Sequence, residues 1–217
     1  MKTKIILIRH AQSEKNLKDI HGGNGESLTS LGKEQANALA VRLFELGICP
    51  DNAVIAAPQN IQTKETAEII SNKLALPKYD ISDFRPLYLG IVHGLSNEVV
   101  ADKYPEISNL LFQWRNKELE ICDLAIPEME NALEFYNRGL KVLDKLNKEK
   151  YNIFIATNSL YILLLNILFG NTCMKGGGYK HFDIPNCGLT MFNEDSDGKF
   201  ILDIGHTDVE DVLLYRK

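Results

Sequence analysis

Leu7-Ile8-Arg9-His10-Ala11-Gln12-Ser13-Glu14-Lys15-Asn16 is the stretch on which the fold turns. The residues leading into it, Lys4 to Ile8, form a β-branched and leucine run bounded by charge. That is the pattern of a central parallel strand buried on both faces. The strand ends in Arg-His, which places a fixed cation and a ring nitrogen at its carboxyl edge. In an open α/β sheet, ligands bind at that edge. A charge closing a buried strand is costly without a ligand or partner, so Arg9 and His10 read as functional rather than structural.

Downstream, a glycine-rich loop, His21-Gly22-Gly23-Asn24-Gly25, precedes a helix beginning at Thr29 or Ser30. Its apolar stripe is Ala36, Leu39, Ala40 and Leu43, and Gly47 ends it. Ala53 to Ala57 predicts a second strand, Asn60 to Leu74 a helix with Ala67, Ile70 and Leu74 inward, and Tyr79 to Ile81 a weaker third strand. Residues 85–128 break the βα alternation and predict a mostly helical insertion over one edge of the sheet. Glu130 to Leu146 predicts a helix with Leu133, Tyr136, Leu140 and Leu143 on one face. Tyr151 to Ala156 predicts a strand running straight into the apolar helix Ser159 to Phe169. Two last strands, near Gly188 to Phe192 and Phe200 to Ile204, flank a turn at Asp195-Ser196-Asp197-Gly198. The alternation predicts a three-layer α/β/α sandwich on a mainly parallel sheet, as one domain over residues 1–217.

The chain of 217 residues is 45% hydrophobic and 24% charged, the balance of an ordinary globular protein. Its net charge of −5 and scattered Lys and Arg argue against nucleic-acid or anionic-membrane partners. Cys49, Cys122, Cys173 and Cys187 are far apart, which suits free thiols in a reducing cytosol. The apolar run near the N-terminus is too short for a signal-peptide core, and Asn166 interrupts the run from Leu160 to Phe169. A cytoplasmic monomer or homodimer is expected. His181 and His206 lack metal-ligand spacing, so neither metal nor cofactor is expected.

Two motifs carry a family resemblance. Arg9-His10-Ala11-Gln12-Ser13 with Asn16 is followed by Gly22 and by Leu28-Thr29-Ser30-Leu31-Gly32-Lys33-Glu34-Gln35-Ala36. In this order and spacing the chain resembles the histidine phosphatase superfamily, the phosphoglycerate-mutase-like group. The resemblance covers nearly the whole chain and implies the same fold. It implies that His10 is a nucleophile that becomes a phosphohistidine. In the family the chain resembles, arginines and a second histidine hold the phosphoryl oxygens, and a carboxylic acid protonates the leaving alcohol. Each role has a physical reason: an unprotonated imidazole nitrogen, preorganised charge around the phosphoryl group, and a proton for a poor leaving group.

Three positions depart from that pattern. Asn158 stands where the second histidine belongs, Gln62 where a phosphate-binding arginine belongs, and Pro86 where the acid belongs, four residues before Gly90. His93, between Gly90 and Gly94, is either a replacement acid or a surface histidine beside a glycine turn. Asn16 orients the loop, caps a helix or touches phosphate. Asn158 caps a helix, binds an anion, or does both. Glu130 reads as a helix cap ahead of a functional group, and the basic loop from Lys175 to Lys180 as solvated ahead of a gate. The expected site is Arg9, His10 and His93 for chemistry, with Arg9, Asn16, Gln62 and Asn158 around the phosphate. The expected ligand is a small phosphorylated molecule or inorganic phosphate. The expected function is an atypical, weak phosphohydrolase; the alternative is an inactive member that binds a phosphorylated ligand or a protein partner.

Overall fold

The computed structural model describes residues 3–81 and 84–204. Its sheet has the order β2-β3-β1-β4-β5, where β1 is Lys4–Arg9, β2 Ala53–Ala56, β3 Tyr151–Ala156, β4 Leu189–Glu194 and β5 Phe200–Ile204. β1 is central, parallel to β3 and antiparallel to β4, while β2 is parallel to β3 and β5 antiparallel to β4. The sheet is therefore mixed. Its strands share one direction except β4, whose two pairings are both antiparallel.

The helices are α1 (Glu14–Leu17), α2 (Ser30–Glu45), α3 (Ile61–Leu74), α4 (Asn97–Lys103), α5 (Pro105–Arg115), α6 (Ala132–Asp144) and α7 (Asn158–Leu168). Alternation along β1 separates the layers. Ile6 and Ile8 join Leu39 and Leu43 of α2 and Ile70 of α3. Ile5 and Leu7 join Phe135 of α6 and Leu160 and Leu164 of α7. A strand covered on both sides has no polar face, which is why its sequence is an unbroken apolar run. The insertion closes over a small core of its own, made of Val92, Val100, Ile107, Leu111 and Ile126.

Some expectations need correction. Tyr79 to Ile81 is not a strand: a single bridge joins Lys78 to Ile55. Pro77 has no N–H to extend the ladder, so the segment contributes only its carbonyl to Ile55 and the Tyr79 N–H to the Ile55 carbonyl, each at 3.0 Å. The cap of α6 is Asn131, whose Oδ1 accepts from the N–H groups of Leu133 and Glu134. The buried face of α6 is Phe135, Arg138, Gly139 and Val142, and the expected stripe residues Leu133 and Leu140 are 47% and 39% exposed. Gly139 lets α6 approach α7 so closely that a Cβ there would stand 2.9 Å from Leu163 Cγ. Arg138 is turned inward by Glu130 at 2.8 Å. Neither cause shows in a hydropathy period.

The 175–180 loop is held by Glu120, whose carboxylate accepts from the N–H groups of Gly176 and Gly178 at 2.9 and 3.0 Å. Among the described residues no helix is long and apolar enough to cross a membrane. The four cysteines are unbridged. His206 lies outside the described residues.

Candidate active site

The chain leaving β1 is tied down at successive amides, by Thr66 of α3 and by the second sequence motif. The Ala11 N–H donates to Thr66 Oγ1 at 3.1 Å, and the Gln12 N–H donates to Gln35 Oε1 at 3.0 Å. Thr29 caps α2 by accepting the Gly32 N–H at 2.9 Å, while its own N–H donates to the Gln12 carbonyl at 3.0 Å. Gly32 has to be glycine because a Cβ there would run into the Gln12 carbonyl. The Leu-Thr-x-x-Gly-x-x-Gln block is thus a clamp on the loop that follows His10.

A second clamp comes from the segment that returns into β4. The Asn186 side-chain amide donates to the His10 carbonyl at 2.9 Å, and the Cys187 N–H donates to the Arg9 carbonyl at 3.0 Å. Arg9 donates one guanidinium nitrogen to the Ile184 carbonyl. Arg9-His10 is gripped from both sides, which satisfies the preorganisation that electrostatic catalysis demands.

His10 is 4% exposed. Its Nδ1 lies 2.8 Å from the Ala11 carbonyl. A carbonyl oxygen only accepts, so Nδ1 carries the proton and Nε2 keeps its lone pair. Burial, reinforced by the charge of Arg9, pushes the imidazole down to about 3. It is neutral at any ordinary pH. Burial also brings Arg9 down to about 10, where it remains a cation.

Beside His10 the protein encloses a cavity of about 270 Å³. Arg9, His10, Asn16, Gln62 and Asn158 all line it, so the structure brings the expected phosphate residues together. Pro86 lines it too, with no proton to donate. Four lining residues carry a buried polar atom without a hydrogen-bond partner, Arg9 Nε, Gln62 Oε1, Asn158 Oδ1 and Tyr179 Oη, while a fifth, His181 Nδ1, has only the Asp183 carboxylate at 3.7 Å. Orphaned buried polar atoms are costly, and so many around one space mark a place for a polar ligand. Turning either amide presents its NH₂ to an oxyanion.

Asn16 and Asn158 are placed more sharply than the sequence allows. Asn16 Oδ1 accepts from the N–H and the hydroxyl of Ser13 at 2.9 and 3.0 Å. Its oxygen therefore orders the loop while the residue lines the cavity. Asn158 is the first residue of α7 and not its cap, which is Thr157. Glu130 is an ion-pair partner of Arg138 and Arg85 and not a cap.

His93 is the residue the structure does not bring in. It is absent from the cavity lining. Its Nε2 accepts the Gly23 N–H at 2.9 Å and its ring packs on Tyr88 at 4.6 Å between centroids. Burial, with a smaller contribution from Lys15, lowers its pKa, so an imidazolium is disfavoured. Sequence reasoning missed Lys15, His21, Arg115, Tyr179 and His181, which do line the cavity. It also missed Asn186. The turn residues of Pro185-Asn186 directly before β4 were the available signal.

The sequence pattern of the histidine phosphatase superfamily (branch 1) matches residues 5–207. The chain belongs to this family. It is 30% identical over 146 residues to the broad-specificity phosphatase YOR283W of Saccharomyces cerevisiae, covering 64% of this chain and 63% of that protein. It is 32% identical over 112 residues to the 2,3-bisphosphoglycerate-dependent phosphoglycerate mutase of Rhizobium etli, covering 49% and 51%. The chain thus spans less than two thirds of the length of either relative. Among solved structures, Bacillus stearothermophilus YhfR superposes with a TM-score of 0.79 at 18% identity, over 95% of this chain and 98% of that one. The mycobacterial glucosyl-3-phosphoglycerate phosphatase Rv2419c gives 0.77 at 16%, over 96% and 100%, and has also been solved with inorganic phosphate. At these identities the structures share the fold.

Proposed function

We propose that this chain is a phosphomonoester hydrolase of the superfamily, acting on a small phosphorylated molecule through His10, with weakened transition-state stabilisation. The observation that carries this reading is the His10 ring. Its proton is held on Nδ1 by the Ala11 carbonyl, its Nε2 is unprotonated, and it borders a cavity lined with unpartnered polar atoms. In the first step the Nε2 lone pair bonds to phosphorus and the bond to the leaving oxygen breaks. In the second, water attacks the phosphohistidine and releases inorganic phosphate, and His10 is regained. Arg9 meets charge on the phosphoryl oxygens, and the Gln62 and Asn158 amides add neutral donors.

The second reading, a member that binds a phosphorylated ligand without turning it over, draws on Gln62, Asn158 and Pro86 at the cavity wall. Both readings take a small phosphorylated ligand in a reducing compartment that suits four free thiols. Incubation with para-nitrophenyl phosphate and a panel of sugar and nucleoside phosphates, beside His10→Ala, separates them. Turnover abolished in His10→Ala supports the enzyme. Stabilisation by phosphate without turnover supports the binding protein. Neither turnover nor stabilisation would remove both.

A further inference from the structure

The cavity has lost charge relative to the pattern the family resemblance implies. Gln62 and Asn158 are neutral, and the cations on its wall are Arg9, Lys15 and Arg115. Arg115 is exposed and donates to Asn97 Oδ1 at 3.2 Å. Arg9 has one nitrogen committed to the Ile184 carbonyl.

Lys15 differs from both. Among the described residues no carboxylate lies within ion-pair distance of its ammonium. The carboxylate that acts on it most is Glu26, and Glu26 is held by Lys18 at 2.9 Å. Meanwhile the Lys15 charge acts on three imidazoles around the site, those of His10, His21 and His93. An ammonium that borders the same cavity as His10 and has no counter-ion among the described residues is arranged for an anion that the protein does not itself supply.

We propose that the Lys15 ammonium contacts the phosphoryl oxygens directly, supplying charge that Gln62 and Asn158 do not, and is therefore a catalytic residue of this site. The inference rests on the reading that an oxyanion sits beside His10. It carries a pH signature. Burial lowers the Lys15 amine to about 8, with Arg9 pushing the same way and Glu26 opposing. The other titratable groups on the wall are Asp19, His21, Arg115, Tyr179 and His181, and burial raises the Tyr179 phenol well above its ordinary value. Burial holds His21 at about 4 and lowers His181 below its ordinary value, so neither changes charge near pH 8. In the free protein the Lys15 charge is present below about pH 8 and lost above it, so kcat/KM and phosphate affinity decline on the alkaline side.

The test compares the full chain with Lys15→Gln, Lys15→Arg and Arg9→Gln. The readouts are calorimetric affinity for inorganic phosphate and kcat/KM on para-nitrophenyl phosphate between pH 6 and 9, below the range in which Arg9 titrates, with thermal melts to show that each variant is folded. Lys15→Gln should lose about 100- to 1000-fold in kcat/KM and most of the phosphate affinity. Lys15→Arg should recover affinity and abolish the decline above pH 8, because a guanidinium stays charged. If wild type and Lys15→Gln bind phosphate alike while Arg9→Gln binds weakly, this inference is overturned and the reading of the site survives. If wild type binds no phosphate, both fall. A Lys15→Arg chain that keeps the decline at pH 8 also overturns it. The affinity arm decides the matter even for a chain without turnover.

Discussion

Ala11 gives His10 a carbonyl to donate to, and that 2.8 Å contact determines which ring nitrogen keeps its lone pair. The two positions the sequence suggests for an acid supply no proton to a leaving group. Pro86 lines the cavity without an ionisable side chain, and His93 has its Nε2 occupied by the Gly23 N–H. A phosphoester whose alcohol departs as an anion without help should therefore be favoured strongly over an alkyl ester. A positioned acid contributes about 100- to 10,000-fold, so kcat/KM should fall steeply as the pKa of the leaving alcohol rises across a series of aryl and alkyl phosphates. Pro86→Glu should raise the rate on alkyl phosphates and leave the para-nitrophenyl ester nearly unchanged. A flat leaving-group dependence in the wild type would mean that some other group donates the proton.

At the scale of elements, Arg138 of α6 and Glu130 ahead of it tie that helix to the irregular segment that carries Pro86 to the cavity. Arg138 donates to Glu130 through Nε and Nη2, each at 2.8 Å, and through Nη1 to the Arg85 carbonyl at 2.9 Å. Both side chains are nearly buried. Removing one member of a buried pair costs about 3–5 kcal/mol, the lower end applying here because Arg85 still reaches Glu130 at 3.2 Å. Arg138→Ala should lose that much in urea unfolding. Because the same arginine holds the carbonyl before Pro86, it should also weaken phosphate binding under conditions where the chain remains folded. The pair also marks what a sequence can and cannot tell. Helix α2, strands β1 and β3 and the loop after His10 were legible because each rests on neighbours in sequence or on an apolar period. The inward face of α6 was not, since Arg138 is buried by a carboxylate eight residues earlier and by carbonyls more than fifty residues away. Asn186 and His181 were hidden for a related reason. They reach the site from the return into β4, and only the sheet order places that segment beside β1. Arg9, His10 and Asn16 were legible because a strand end and a motif named them, and Gln62 and Asn158 because the family resemblance pointed to their positions, whereas His93 was assigned by its place between two glycines and has its Nε2 taken by the Gly23 N–H.

For the molecule as a whole, the site's histidines set its response to acid. Burial lowers His10 to about 3 and His21 to about 4, and it also lowers His93 and His181. The unfolded chain takes up protons on these rings as the pH falls through about 6.5, while the folded chain follows only at lower pH, furthest down for His10 and His21. Stability from this source is therefore fully present above pH 6.5 and declines as the pH falls toward the folded values. A fully buried imidazole such as His10 accounts for roughly 2 kcal/mol of the loss between pH 7 and pH 5. That window lies above the range in which most of the 29 carboxylates titrate, so the histidine contribution can be read there in isolation. Urea unfolding at pH 7, 6 and 5 should show the decline, and His10→Asn, which places a neutral amide at the same spot, should flatten it by about that amount. Equal pH dependence in the two chains would show that the ring at position 10 is not held neutral by burial, and with it would go the free lone pair on which the chemistry at this cavity depends.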